Sequence, residues 1–255
     1  KIIEDASHSF GGKYYSKRVG CSKWSDITIF SFHPVKIITT GEGGIALTNN
    51  LKLSNKIRAL RSHGIEQKKK NSLKYNKRPW MFYQRSLGLN YRMTDIQASL
   101  GISQLKRLSS FVRTRNKIAK IYNKALKNLP LEIPYVHKHN YSSYHLYVVR
   151  VKPNKKKISR DVLFKKLYKF GIITNIHYIP IYIHPYFKNL GIKKKEFINN
   201  NQYFKNAISL PIYSSLKKKE LKKVIQSLKK IFNWNISSEN FMYNSSKIRQ
   251  QENKK

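Results

Sequence analysis

Cysteine is almost missing from this 255-residue chain: Cys21 is the only one. A lone thiol excludes an internal disulfide and any multi-cysteine zinc site, and it fits a reducing compartment such as the cytoplasm. Long apolar runs are missing too. No stretch approaches the roughly 18 to 20 uninterrupted apolar residues of a membrane span, and no basic-then-apolar signal layout opens the chain, so no membrane partner is expected. Acidic residues are scarce, with 12 Asp and Glu against 52 Lys and Arg and a formal net charge of +40. That imbalance invites a nucleic-acid reading, because a basic surface gains from counterion release at phosphate. Its distribution argues against one. The lysine runs at 68–70, 155–157, 193–195 and 217–219 are scattered along the chain and form no single stripe. Lys, Asn, Ile and Tyr, the types written by A/T-rich codons, make up 108 of the 255 residues, so genome composition accounts for the charge. No specific nucleic-acid partner is expected, only non-specific anion binding.

What is present is material for a core: 40% hydrophobic residues, including 12 Phe, 17 Tyr and 3 Trp. Lys1 to Asp5 reads as the end of a buried strand that delivers a carboxylate, and Asp26 to Phe32, alternating and β-branched, reads as a second. Gly43 to Thr48 is a third strand after a glycine turn, and 51–63 a helix. Residues 64–90 form a long basic and aromatic connection, of a length that is more often functional than idle. Thr94-x-x-Gln97 is a capping-box pattern, and apolar residues recur behind it to Leu126, which predicts one long helix bent or broken near its middle. After Pro130 and Pro134, a strand over 144–151, a helix over 159–170 closed by Gly171, and a strand over 172–178 make a small α/β domain. A last amphipathic helix spans 217–232, followed by a polar tail.

The segment that carries chemistry is Ser31-Phe32-His33-Pro34-Val35-Lys36, followed by Thr40-Gly41-Glu42-Gly43-Gly44, with Asp5 and His8 upstream. A lysine between Val35 and Ile37 at the end of an apolar strand sits where desolvation favours a nucleophilic amine, which suits Schiff-base chemistry. Taken alone it is more readily one surface lysine among 40, and what favours the chemical reading is its company.

Three ordered motifs, Glu4-Asp5-Ala6-Ser7-His8, the lysine segment, and Leu87-Gly88-Leu89-Asn90-Tyr91-Arg92-Met93-Thr94-Asp95-Ile96-Gln97-Ala98, resemble those of the DegT/DnrJ/EryC1/StrS sugar aminotransferases, which depend on pyridoxal phosphate (PLP). The resemblance runs from residue 1 to about 233. It implies an α/β fold of the PLP-dependent fold type I. Residues 1–112 would be the C-terminal half of the large mixed-sheet domain, 113–234 a small C-terminal α/β domain, and 235–255 a tail. It also implies roles. Lys36 would hold PLP as an aldimine and shuttle the proton. Asp5 would pair with the pyridine nitrogen, keeping the ring an electron sink, and His8 would lie near the phenolic oxygen. Ser31 would bond the cofactor phosphate, and Asn90 would reach the phosphate in a neighbouring subunit, so that a homodimer shares its sites. Each residue also has a plain structural reading as a cap, a turn or core packing. A dehydratase branch of the family carries histidine in place of this lysine, so Lys36 favours transamination.

Asn175 to Tyr182 and His184 to Phe187 resemble the nucleotide-sugar stretch of enzymes that aminate UDP-4-keto-6-deoxy-N-acetyl sugars on the way to pseudaminic acid. His177 and Tyr178 would face the nucleotide sugar, and Arg92 offers a fork to its diphosphate. Glutamate is the implied amino donor. The transaminase that modifies lipid A with an arabinose-type sugar is a close competitor. The family pattern continues ahead of the Asp5 motif with a phosphate-cradling helix N-terminus, a ring-stacking aromatic and half of the central sheet. The chain is therefore expected to be the C-terminal part of a longer protein. A catalytically inactive fragment or split-subunit partner of such an enzyme is the alternative.

Overall fold

The computed structural model describes residues 1–65, 82–192 and 196–232. Most of the connection expected over 64–90, the lysines at 193–195 and the polar tail lie outside the described residues. In chain order the elements are β1 (Ile3–Asp5), β2 (Lys13–Tyr14), β3 (Lys17–Arg18), β4 (Ile27–Ser31), β5 (Gly44–Leu47), α1 (Leu51–Arg61), α2 (Asp95–Leu126), β6 (Leu131–Glu132), β7 (Asn140–Tyr141), β8 (Tyr147–Val151), α3 (Arg160–Lys169), α4 (Pro185–Asn189), α5 (Ile198–Asn206), β9 (Ala207–Leu210) and α6 (Lys218–Ile231). They fall into two compact units. The first comprises Lys1–Lys124, Pro134–Val148 and Ser209–Leu216, the second Ala125–Ile133, Val149–Ile208 and Lys217–Lys255. Among the described residues no helix is long and apolar enough to cross a membrane.

In the first unit β4 is the middle strand of a three-stranded sheet, β1-β4-β5. It pairs parallel with β1, Asp5 opposite Ile29, and antiparallel with β5, Ser31 opposite Gly44. Alternation along β4 turns Thr28 and Phe30 inward, where Phe30 joins Ala6, Phe32 and Ile38 in a core also lined by Phe10, Met93, Leu108 and Phe111. Phe10 meets Phe30 and Phe32 edge to face at 4.6 and 5.5 Å. Burying Phe30 contributes about 1.5–3 kcal/mol. The opposite face, that of Ile3 and Ile29, differs from the expectation of a buried first strand: Ile3 is 64% exposed, and Ile29 is exposed with it. A sheet this narrow has one covered face only.

Helix α2 is continuous over its 32 residues, without the expected break. No proline interrupts it. Gly101, the one residue that weakens the pattern, lets the helix come close to Thr40, whose Cγ2 would lie 2.9 Å from an added Cβ. The capping box forms as expected, with Gln97 N–H on Thr94 Oγ1 and Thr94 N–H on Gln97 Oε1. The apolar stripe is buried only in the second half of the helix, at Val112, Ala119 and Tyr122. Ile96, Ile102 and Leu105 in the first half are exposed.

The second unit carries β6, which pairs antiparallel with β8, Leu131 opposite Val151, in a sheet of order β6-β8-β9. Helix α3 starts at Ser159, whose Oγ accepts from Val162 N–H, and is followed by Gly171 at φ +68°. α6 buries Leu221, Val224, Ile225, Leu228 and Ile231 and turns its lysines outward. Two strand expectations need correction. The strand expected over 144–151 begins at Tyr147, because Tyr144 has φ +46°, which a ladder does not accommodate. Residues 172–178 form no strand, although Ile172 and Thr174 are buried and Ile173 exposed in the alternation that suggested one. The third strand is β9, whose four residues Ala-Ile-Ser-Leu are all buried.

Back in the first unit, one close approach fixes the segment after α1. Gly64, at φ +72°, lies against Ser86, whose carbonyl oxygen would be 1.7 Å from an added Cβ, and Gly88 lies against Gly64 in the same way. His63, Leu89 and Tyr91 N–H then bond to Leu89, Leu60 and Arg61 carbonyls. Gly64→Ala combines a left-handed penalty with a backbone clash, so it should destabilise the protein by about 2–4 kcal/mol. Urea unfolding measures this, and a midpoint equal to that of the wild type would contradict the pinned geometry.

Candidate active site

Parallel pairing brings the C-terminal ends of β1 and β4 to the same edge of the sheet, Asp5 on one and Ser31 on the other. Beyond Asp5 the chain turns at once. Ser7 donates to Asp5 Oδ1 twice, through its N–H at 3.0 Å and its hydroxyl at 2.6 Å. These two bonds hold the Asp5 carboxyl below the ordinary carboxylate value, assisted by the nearby charges of His8 and Lys36 and opposed by slight desolvation. The carboxylate is exposed rather than buried, so water and the two hydrogen bonds both favour its charged form.

Beyond Ser31 the chain closes a compact turn. Lys36 N–H bonds to the His33 carbonyl at 3.0 Å, Thr40 N–H and Thr39 Oγ1 both bond to the Phe32 carbonyl, and Phe32 N–H bonds to Gly43. Ile37 and Ile38 are buried and anchor this turn, leaving Lys36 half-buried and Val35 exposed. Only one of the two apolar flanks expected around the lysine is therefore packed. His33 Nε2 lies 3.8 Å from Glu42 Oε1, and Gln97 Nε2 donates to the Glu42 carbonyl at 3.0 Å, tying the start of α2 to the turn.

His8 and Lys36 thus each lie within electrostatic reach of Asp5 at one end of the sheet, with Ser31 on the neighbouring strand end. Asn90 and Arg92 are placed elsewhere, on the exposed segment pinned to the end of α1, where Asn90 bridges Ser62. His177 and Tyr178 belong to the second unit. Their rings meet edge to face at 4.6 Å, His177 half-buried and Tyr178 exposed.

Four residues beside the cluster escaped the sequence reading: Arg115, Asn116, Ser143 and His145. The His145 ring lies 4.3 Å from that of His8, and Ser143 Oγ donates to the His8 carbonyl. Arg115 had a signal, a charge at a buried position of the α2 stripe between Val112 and Ala119.

A family model, that of the DegT/DnrJ/EryC1/StrS aminotransferases, matches residues 1–229. The chain belongs to this family. An uncharacterized protein of Methanocaldococcus jannaschii, MJ1066, is 39% identical over 238 residues, which are 92% of this chain and 60% of that protein. The UDP-4-amino-4,6-dideoxy-N-acetyl-beta-L-altrosamine transaminase of Campylobacter jejuni subsp. jejuni is 36% identical over 228 residues, 89% of this chain and 57% of that enzyme. Among solved structures, the PMP form of the putative sugar aminotransferase Spr1654 from Streptococcus pneumoniae superposes with a TM-score of 0.81 at 29% identity, covering 91% of this chain and 58% of the other. The chain therefore spans less than two thirds of the length of these DegT/DnrJ/EryC1/StrS relatives. Its architecture is the mixed α/β one of the PLP-dependent transferases of fold type I.

The Asp5 geometry makes its own test. Because the folded carboxyl is the stronger acid, its bonds to Ser7 stabilise the fold above the ordinary carboxylate range and are lost as pH falls through the folded value. Ser7→Ala removes the hydroxyl donor and should move the Asp5 titration midpoint, followed by carboxyl NMR, up toward the ordinary value. An unmoved midpoint would contradict the assigned cause.

Proposed function

We propose that the protein is a PLP-dependent aminotransferase that places an amino group on a nucleotide-linked 4-keto-6-deoxy sugar, a UDP-linked N-acetyl sugar, with glutamate as donor. The observation that carries this reading is the gathering of an ionised carboxylate, a histidine and a half-buried lysine at the ends of β1 and β4. The donor set fits the cofactor. An exposed carboxylate that accepts two hydrogen bonds suits a protonated ring nitrogen, a lysine amine suits an aldehyde carbon, and a strand-end hydroxyl suits a phosphate. PLP, when bound, supplies an electron sink for the pair released at the substrate carbon.

The chain's own residues do the rest. Asp5 holds the proton on the ring nitrogen, and the Ser7 bonds fix the direction of its carboxylate. Lys36 Nζ holds the cofactor and moves the proton to and from the amino-bearing carbon. His8 orients the ring's phenolic edge, and Ser31 Oγ donates to the phosphate. Asn90 and Arg92, exposed on their pinned segment, serve the site of a second copy, Arg92 as a bidentate donor to the diphosphate. The exposed Ile96, Ile102 and Leu105 that follow them support this homodimer. His177 and Tyr178 contact the nucleotide sugar. The similarity to the Campylobacter transaminase supports the sugar class, and the lone cysteine supports a cytoplasmic site of action.

A second reading, a non-catalytic partner of such an enzyme, is favoured by the exposed apolar side chains of the β1-β4-β5 sheet, Ile3 and Ile29 on one face and Ile45 on the other. Borohydride reduction with PLP separates the two. The aminotransferase reading expects a phosphopyridoxyl group on Lys36, absent from Lys36→Ala. Label that persists in Lys36→Ala, or none in the wild type, would overturn it.

A further inference from the structure

One charged side chain lies inside the buried stripe of α2. Arg115 is 6% exposed, and its Nη1 donates to three carbonyls, those of Tyr144 at 3.0 Å, His145 at 3.2 Å and Ile212 at 2.8 Å. Burial draws its guanidinium down to about 10, which still leaves it charged at neutral pH. Taking a guanidinium out of water is costly, and an aliphatic side chain would fill the same stripe position. What Arg115 achieves that an aliphatic residue cannot is a fixed main chain at 144–145. Its neighbour does the same, since Asn116 Nδ2 donates to the Ser142 carbonyl at 2.9 Å as well as to Val112 within the helix.

The main chain held in this way is strained. Tyr144 sits at φ +46°, in the left-handed region that a bulky residue rarely occupies. Strain of this kind persists where the surroundings over-determine it, and it marks places where a side chain must point in one direction. Both side chains that flank Tyr144 point to the same residue. Ser143 Oγ donates to the His8 carbonyl at 3.0 Å, and the His145 ring lies 4.3 Å from the His8 ring at a tilt of 49°. His8 in turn is one of the charges that hold the Asp5 carboxyl down.

We infer that His145 is a positioning residue for His8, set in place from α2 by Arg115 and Asn116 through the strained turn at Tyr144. The inference rests on the reading of Asp5, His8 and Lys36 as a cofactor site, but its core is a relay from the helix to one imidazole. The rings of the two histidines lie against one another, so truncating one removes that contact from the other.

The relay and the cofactor reading are tested in separate arms on the protein expressed from its own gene. In the first, without PLP, the His8 ring signals are followed by proton–carbon NMR in Asn116→Ala and Arg115→Lys, which touch neither imidazole. Both variants should shift and broaden the His8 signals, and unchanged signals in folded variants would overturn the relay. Asn116→Ala keeps this arm readable if Arg115→Lys does not fold. In the second, PLP affinity is measured in a double-mutant cycle. His145→Ala should weaken binding about tenfold when His8 is present and less than about twofold in a His8→Ala background. Equal losses in both backgrounds would show independent contributions and overturn the positioning role. A wild type that does not bind PLP would remove the cofactor reading alone, and the NMR arm would still decide the relay.

Discussion

The parallel pairing of β1 with β4 is the constraint on which the rest of the site depends. Parallel strands send their carboxyl ends the same way, so Asp5, opposite Ile29, and Ser31, two residues farther along β4 and on the same face, come to the same end of the sheet. Each strand then turns sharply, one into Ser7 and His8, the other into Lys36. The core beneath, built on Phe30, Phe32 and Ile38, holds β4 as the middle strand, and the polar groups of Asp5, Ser31 and Lys36 stay at the rim. A register shift of one residue would exchange the two faces of β4, exposing Phe30 and burying Ile29.

Around that edge the structure places its polar groups so that each has a mechanical consequence. The carboxylate of Asp5 is held by a two-residue turn rather than by burial, so it remains open to a ligand while staying ionised. The lysine turn is closed by main-chain bonds to Phe32 and is tied to α2 through Gln97. Farther along the same helix, Arg115 and Asn116 grip the turn at 142–145 from which His145 reaches His8. A single long helix thus touches both sides of the site, and its continuity past Gly101 matters more than its intrinsic propensity.

Much of this was legible in the residues. The alternation of Asp26 to Phe32 marked β4, the Thr94–Gln97 box marked the start of α2, and the ordered motifs around Asp5, Lys36 and Asn90 marked the family. What escaped detection depends on tertiary context. The run 172–178 alternates like a strand, but β9, a short buried stretch with a serine inside it, forms the third strand of the sheet. The strand expected from Tyr144 starts late because a side chain from a helix 29 residues earlier captures the Tyr144 carbonyl. The first half of α2 has the stripe of a core helix yet leaves it exposed, since periodicity reports an apolar face and not what covers it. The His8–His145 contact joins residues far apart in sequence, and no local pattern announces it.

A crystal structure with PLP bound tests the central claim most directly. The expected result is a pyridine nitrogen within hydrogen-bond distance of the Asp5 carboxylate, an aldehyde carbon joined to Lys36 Nζ, and the His8 ring, backed by His145, along the phenolic edge. Cofactor density away from the ends of β1 and β4, or a ring whose nitrogen faces no carboxylate, would contradict the site.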